Sequence, residues 1–308
     1  MVKKAIITAI ILVFIVLHPV SASCSKRDTV ETIMSKIKEV ENLRYKEIKE
    51  ALNILLLDVA KVKSEELSDD VCSVANVLML ISNDFQTIED LTNTGSLENH
   101  KKALEIAQRI ERNVDYLWKK SQNKLLAELP EFSLKTFYGE EAKFFENFAV
   151  NEKVTVEKIE LLSLSRQCYL KCNDLKSYAR IDFELKRITS VYERDMNTAR
   201  DLYEKAKRDY EEALRSDVIH GYMKLKDALG LIENSYILYK KHGKVPEEVE
   251  SLKASIESKQ KELSKDFMVN IAIYCVVLFS VMFVLLRRLK TWMKDVEDTR
   301  LGRELSEY

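Results

Sequence analysis

Residues 267–286 form an uncharged, predominantly apolar stretch of twenty, closed on its C-terminal side by Arg287, Arg288 and Lys290. A helix of that length spans the hydrocarbon core of a bilayer. No other feature restricts the chain so strongly, because it divides the sequence into a part before the membrane and a part after it. The span is expected from Phe267 to Leu286, with Arg287, Arg288 and Lys290 as topogenic charges. The first residues read as a second targeting element. Two lysines (Lys3 and Lys4) precede an apolar run from Ala5 to Leu17, and Pro19-Val20-Ser21-Ala22 follows. These are the basic, apolar and small-residue parts of a secretory leader. A thirteen-residue run reaches only about 20 Å as a helix, so cleavage after Ala22 is expected rather than a permanent span.

The expected organisation is a leader over 1–22, an extracytoplasmic domain over 23–266, the membrane helix over 267–286 and a short cytoplasmic tail over 287–308. Flanking charge agrees with this orientation. Six cations lie within about twenty residues on the C-terminal side of the span and four on the N-terminal side. The expected location is therefore the cell membrane, single-pass, with the N-terminal domain outside.

The 244 residues before the span can bury a sizeable core. The whole chain holds six glycines and three prolines, while 32% of its residues are charged. Sheets of this size need many more turn residues, so the fold class is all-α: an elongated antiparallel helical bundle or coiled coil. Apolar steps of three and four support it. They run through Val30, Ile33, Ile37 and Val40, then Ile48, Leu52, Leu55, Val59 and Val62, and predict one helix from Asp28 to about Leu67 with a stutter between the runs. Asp28 is its expected cap, with Glu31 as capping-box partner.

Ser68-Asp69-Asp70 opens the next expected helix, which carries a heptad from Val71 to Ile88 and stops at Thr92–Gly95. Ser96 begins a third, which Pro130 is expected to stop. A long helical region over 151–215 follows, with a seam through Tyr178, Ile181, Leu185, Ile188, Tyr192, Met196, Ala199, Leu202, Ala206, Tyr210 and Ala213. Another helix runs from the Ser216-Asp217 cap to His242-Gly243. Pro246 then stands at the first position of a last helix that passes without interruption into the span.

Little in the chain resembles catalytic machinery. No His pair has ligand spacing and no glycine cluster could cradle a phosphate. No residue pattern calls for a metal or cofactor, and no enzymatic activity is expected. The formal net charge of −1 gives no electrostatic footprint for nucleic acid.

Two groups remain as candidate sites. Cys24, Cys72, Cys168 and Cys172 all precede the span, where disulfides can form in an oxidising compartment. Cys168 and Cys172 share a helix face, so each is expected either to reach a neighbouring helix or to remain a buried thiol. Phe132, Phe137, Tyr138, Phe144, Phe145 and Phe148 crowd one segment. They are either an interaction patch or core residues that close the end of the bundle. The expected role is a non-catalytic, membrane-anchored interaction or scaffold protein. Its partners are the membrane and either itself or another membrane protein, engaged through helical seams. The alternative is a ligand-sensing or regulatory ectodomain that signals through a separate membrane partner.

Overall fold

The computed structural model describes residues 24–306, apart from the side chains of 295 and 297–306. The leader expected over 1–22 and the last two residues of the tail lie outside the described residues. Nine helices make up the described chain: α1 (Lys26–Glu39), α2 (Lys46–Lys61), α3 (Asp69–Thr92), α4 (Leu97–Lys120), α5 (Leu125–Asn151), α6 (Thr155–Lys171), α7 (Leu175–Arg215), α8 (Val218–Lys241) and α9 (Glu247–Ser306). The all-α class holds. The chain divides into two compact units, the first comprising 1–150 and 161–183 and the second 151–160 and 184–308.

In the first unit, α1 to α4 fold back on one another through short connections, as consecutive antiparallel helices do. Ile33, Ile48, Leu52, Leu78, Ile81, Phe85, Ile88 and Ile110 are fully buried between them, on the faces that the three-and-four spacing selects. The expected single helix from Asp28 to Leu67 is instead two. The eight-residue step from Val40 to Ile48 is a turn, and the reason for it is tertiary. Val40, Leu43 and Tyr45 are buried within it, and the Arg44 amide donates to Glu89 Oε2 at 3.1 Å. Neither Gly nor Pro marks the reversal. The cap of α1 also lies three residues earlier than expected, at Ser25, whose Oγ accepts from the Asp28 amide.

Pro130 does not end a helix. The chain breaks earlier, at Ser121 to Lys124, where Ser121 Oγ donates to the Asn123 carbonyl at 2.8 Å and Asn123 Oδ1 accepts from the Leu125 amide at 3.2 Å. Pro130 is then the sixth residue of α5, inside the helix, where it forgoes one backbone hydrogen bond without ending it. The region expected as one helix over 151–215 is also interrupted. Asn173 adopts φ 61°, and the Asp174 amide returns to the Tyr169 carbonyl at 2.9 Å. That is a Schellman-type stop with Asn in the glycine role. Asp174 Oδ1 then accepts from the Ser177 amide and starts α7.

The second unit is built on smaller side chains. Ala206, Ala213, Leu225, Ala228, Ile232, Val249 and Ile256 form its core, with Tyr203, Tyr210, Tyr236 and Tyr239 half-buried around it. Close approach of the backbone replaces bulk. At Gly221 an added Cβ would lie 3.0 Å from the Ala213 carbonyl oxygen, so a side chain there would press the start of α8 against the end of α7. Gly243 ends α8 at φ +86°, where a side chain would both strain the backbone and meet Val154. Asp217 caps α8 through the Ile219 and His220 amides, and α9 runs unbroken for sixty residues from just after Pro246.

Candidate functional site

Two helices are long and apolar enough to cross a membrane, and their surroundings separate them. Half of the apolar window of α3 is buried in the first unit, which identifies it as a core helix. None of the window in α9 is buried. Val249 and Ile256, at the beginning of α9, are 2% and 0% exposed, whereas Met268, Leu278, Phe279 and Phe283 are each 67–69% exposed. The expected span from Phe267 to Leu286 therefore continues a packed helix, and from Ile271 onward its apolar side chains project outward on every face. Arg287, Arg288 and Lys290 follow it, all exposed.

The cysteines divide in a way that spacing could not resolve. Cys24 and Cys72 are joined as a disulfide with a Cα–Cα separation of 6.0 Å. Around it the first described residues are tied down by main-chain bonds from Lys26 N to Glu65 O and from Leu67 N to Cys24 O. Lys26 Nζ also donates to the Ala60 and Val62 carbonyls at the end of α2, a favourable place for a cation. Cys168 and Cys172 remain thiols, the first buried and the second half-buried. Burial pushes the Cys168 thiol well above its ordinary range, and the nearby Glu141 adds to the shift. A thiolate nucleophile is disfavoured there.

The aromatic cluster does not form one surface. Phe137, Tyr138 and Phe145 are in the core, while Phe132 and Phe148 are 58% and 39% exposed. Phe144 lies between the two groups and stacks on the His100 ring with centroids 3.4 Å apart. All six belong to the continuous helix α5, so alternate turns of one helix point them in different directions. Among the seam tyrosines, Tyr178, Tyr192 and Tyr210 are half-buried rather than core.

Sequence reasoning missed two buried polar clusters. In the first unit His100 Nδ1 lies 2.9 Å from both carboxyl oxygens of Glu141, forty-one residues away. Burial raises Glu141 to about 8 and lowers His100, and each shift favours the neutral form. Beside them Arg44 donates to the Tyr45 hydroxyl at 2.7 Å and pairs with Glu140 at 3.3 Å. In the second unit Asp195 accepts from Lys241 Nζ at 2.7 Å and lies 3.1 Å from His242 Nε2. The other ring nitrogen of His242 is 2.9 Å from Thr155 Oγ1. Lys241 and His242 hold the Asp195 carboxyl down to about 2. This threonine, histidine and aspartate line up, but the histidine and aspartate are buried and the half-buried threonine is tied to the same segment by its amide bond to the His242 carbonyl. The line works as a clamp between chain segments.

Near that clamp α7, α8 and the start of α9 enclose an open groove of about 720 Å³, with Tyr192, Arg200, Tyr203, Tyr239 and Glu248 on its walls. Among the described residues no group of three or more His, Cys, Asp or Glu could hold a metal ion. No family model, curated protein or solved structure matches this chain.

Proposed function

We propose that this protein is a non-catalytic, membrane-anchored helical interaction protein whose bundle lies on the extracytoplasmic side. The observation that carries this reading is the continuity of α9. One helix is packed through Val249 and Ile256 as far as Phe267, and from Ile271 to Leu286 its apolar side chains are exposed. Such a surface is stable in lipid and costly in water. The Cys24–Cys72 disulfide supports the side, because disulfides persist in oxidising compartments and are rare in reducing ones. The buried, raised thiol of Cys168 argues against redox or nucleophilic catalysis at that cysteine.

Crosslinking in intact membranes tests this reading, followed by recovery through a C-terminal tag and mass spectrometry. Ladders of the chain with itself are the expected result. Monomer alone, with no crosslinked species, would sink the scaffold role, and release of the protein by alkaline carbonate would sink the anchor.

A second reading, a ligand-sensing ectodomain that signals through a membrane partner, is favoured by the groove. Pro246, Glu248 and Val249 line it, and they begin the helix that enters the membrane. A bound ligand there would touch the top of α9 directly. A small molecule that raises Tm specifically, together with recovery of one distinct membrane partner, would favour this reading over the first.

A further inference from the structure

Helices α8 and α9 are joined by a short turn and lie antiparallel, so the beginning of α8 points the same way as the membrane end of α9. The Tyr222 and Phe267 rings fix the register. They stack 4.2 Å apart at 19°, pairing the first turns of α8 with the first residue of the apolar stretch. Cover on α9 continues at Leu263, Ser264, Phe267 and Asn270, all half-buried at helical spacing, and ends at Ile271, which is 40% exposed.

Val218, the first residue of α8, is four residues beyond Tyr222 in the membrane direction, or about 6 Å at helical rise. The turn between α7 and α8 therefore reaches past Phe267, to the level of the first turn of the span. Its composition suits that depth. Leu214 is 51% exposed, and Val218, Ile219 and Tyr222 are half-buried. They interrupt an otherwise highly charged hairpin. The polar groups of the turn are largely satisfied within it: Asp217 accepts from the Ile219 and His220 amides and pairs with the His220 ring at 3.0 Å. Arg215 and Lys265 are exposed at its edge, where they can meet lipid phosphates.

We propose that the α7–α8 turn, from Leu214 to Tyr222, rests in the lipid headgroup layer beside the point where α9 enters the bilayer. The second unit then touches the membrane at two places rather than hanging from one, which fixes its tilt. A tyrosine at the headgroup level, with apolar neighbours facing the acyl boundary, is the pattern of interfacial anchors. The proposal rests on the reading of α9 as a membrane span.

The test uses the full chain with Cys168, Cys172 and Cys275 replaced by Ser and the disulfide intact, reconstituted in phosphatidylcholine and phosphatidylglycerol vesicles. An environment-sensitive fluorophore is placed in turn on Leu214→Cys, His220→Cys, Met223→Cys, Glu233→Cys and Met282→Cys. Nitroxide lipids labelled at the headgroup or at mid-chain then quench it. Mid-chain quenching of the label at 282, headgroup quenching at 214, 220 and 223, and neither at 233 is the expected outcome. Quenching at 282 while 214, 220 and 223 behave like 233 would overturn the proposal and leave the span intact. No mid-chain quenching at 282 would overturn the span and the proposal with it. The label at 223 guards against local disturbance at the two turn positions.

Discussion

Each unit buries one histidine against one carboxylate, and the two pairs are arranged for opposite charge states. In the first unit His100 and Glu141 sit beside Phe144 and Phe145, and the nearby Arg44 guanidinium is bonded to Tyr45 and Glu140. Burial is the largest influence on both groups, so the pair shares its proton in a net-neutral state. In the second unit Asp195 has Lys241 and Arg194 beside it as well as His242, and its carboxylate stays ionised. The same residue types therefore give a neutral hydrogen bond in a bulky core and an ion cluster in a thin one. The Lys241 and Arg194 side chains are both more than half exposed, so they reach the carboxylate from the surface.

Cutting each core in turn sharpens this contrast. Phe85→Ala in the first unit is expected to cost about 3–5 kcal/mol, because a fully buried ring leaves a cavity. In the second unit the corresponding damage comes from overfilling, and Ala206→Leu is expected to cost about 1–3 kcal/mol. Urea unfolding followed by peptide-resolved hydrogen exchange reads both, and equal losses would show that the two cores do not differ in kind. Reducing the Cys24–Cys72 bond, which closes a separation of 48 residues, is expected to lower stability by about 2–4 kcal/mol. Protection should fall first in α1 to α3. An unchanged Tm under reductant would mean that the main-chain bonds at Lys26 and Leu67 hold the segment alone.

His242→Ala removes one partner from a buried carboxylate and the ring partner of the Thr155 hydroxyl, and about 1–3 kcal/mol is the expected cost. Its effect should appear in peptides around 151–160 and 236–243. Loss confined elsewhere would dismiss the clamp.

The smallest effect is the most diagnostic. Between about pH 4.5 and 6.5 the folded His100–Glu141 pair and the unfolded chain each hold one proton, so the pair adds no pH dependence there. Above about 6.5 the unfolded histidine is neutral, while the folded pair keeps its proton until Glu141 ionises at about 8. Its stability contribution falls over that window by roughly 1–2 kcal/mol. Glu141→Gln should abolish this alkaline loss and introduce a loss below about 6.5, where the unfolded imidazole takes up a proton that the lowered His100 refuses. Asp195 behaves oppositely. Its depressed carboxyl contributes stability above about 3.8 that is lost as pH falls towards about 2. A shared pH profile for the two units would refute the comparison.

Much of this was legible from residue order because the relevant forces are local. The seam from Tyr178 to Ala213 is buried or half-buried at every position, and Asp217, Gly243 and Pro246 mark the ends of helices as their backbone chemistry demands. The stop at Asn173-Asp174 was readable too, had asparagine been weighed as a left-handed cap. The turn at 40–45 was not, since it lacks any breaker and is held by Glu89 from another helix.

Alone, the order of residues determined the all-α class, the helix termini marked by Ser68, Ser96, Asp217, Gly243 and Pro246, and the uncharged stretch of α9, because helical periodicity, capping and hydrophobic length act within a few turns of chain. Tertiary structure decided that Cys24 meets Cys72, that His100 meets Glu141 and that Phe145 is core while Phe148 is not. Those outcomes depend on which helix faces come together across dozens of residues. Only packing sets that, through close approach and the cost of leaving a buried polar group unpaired.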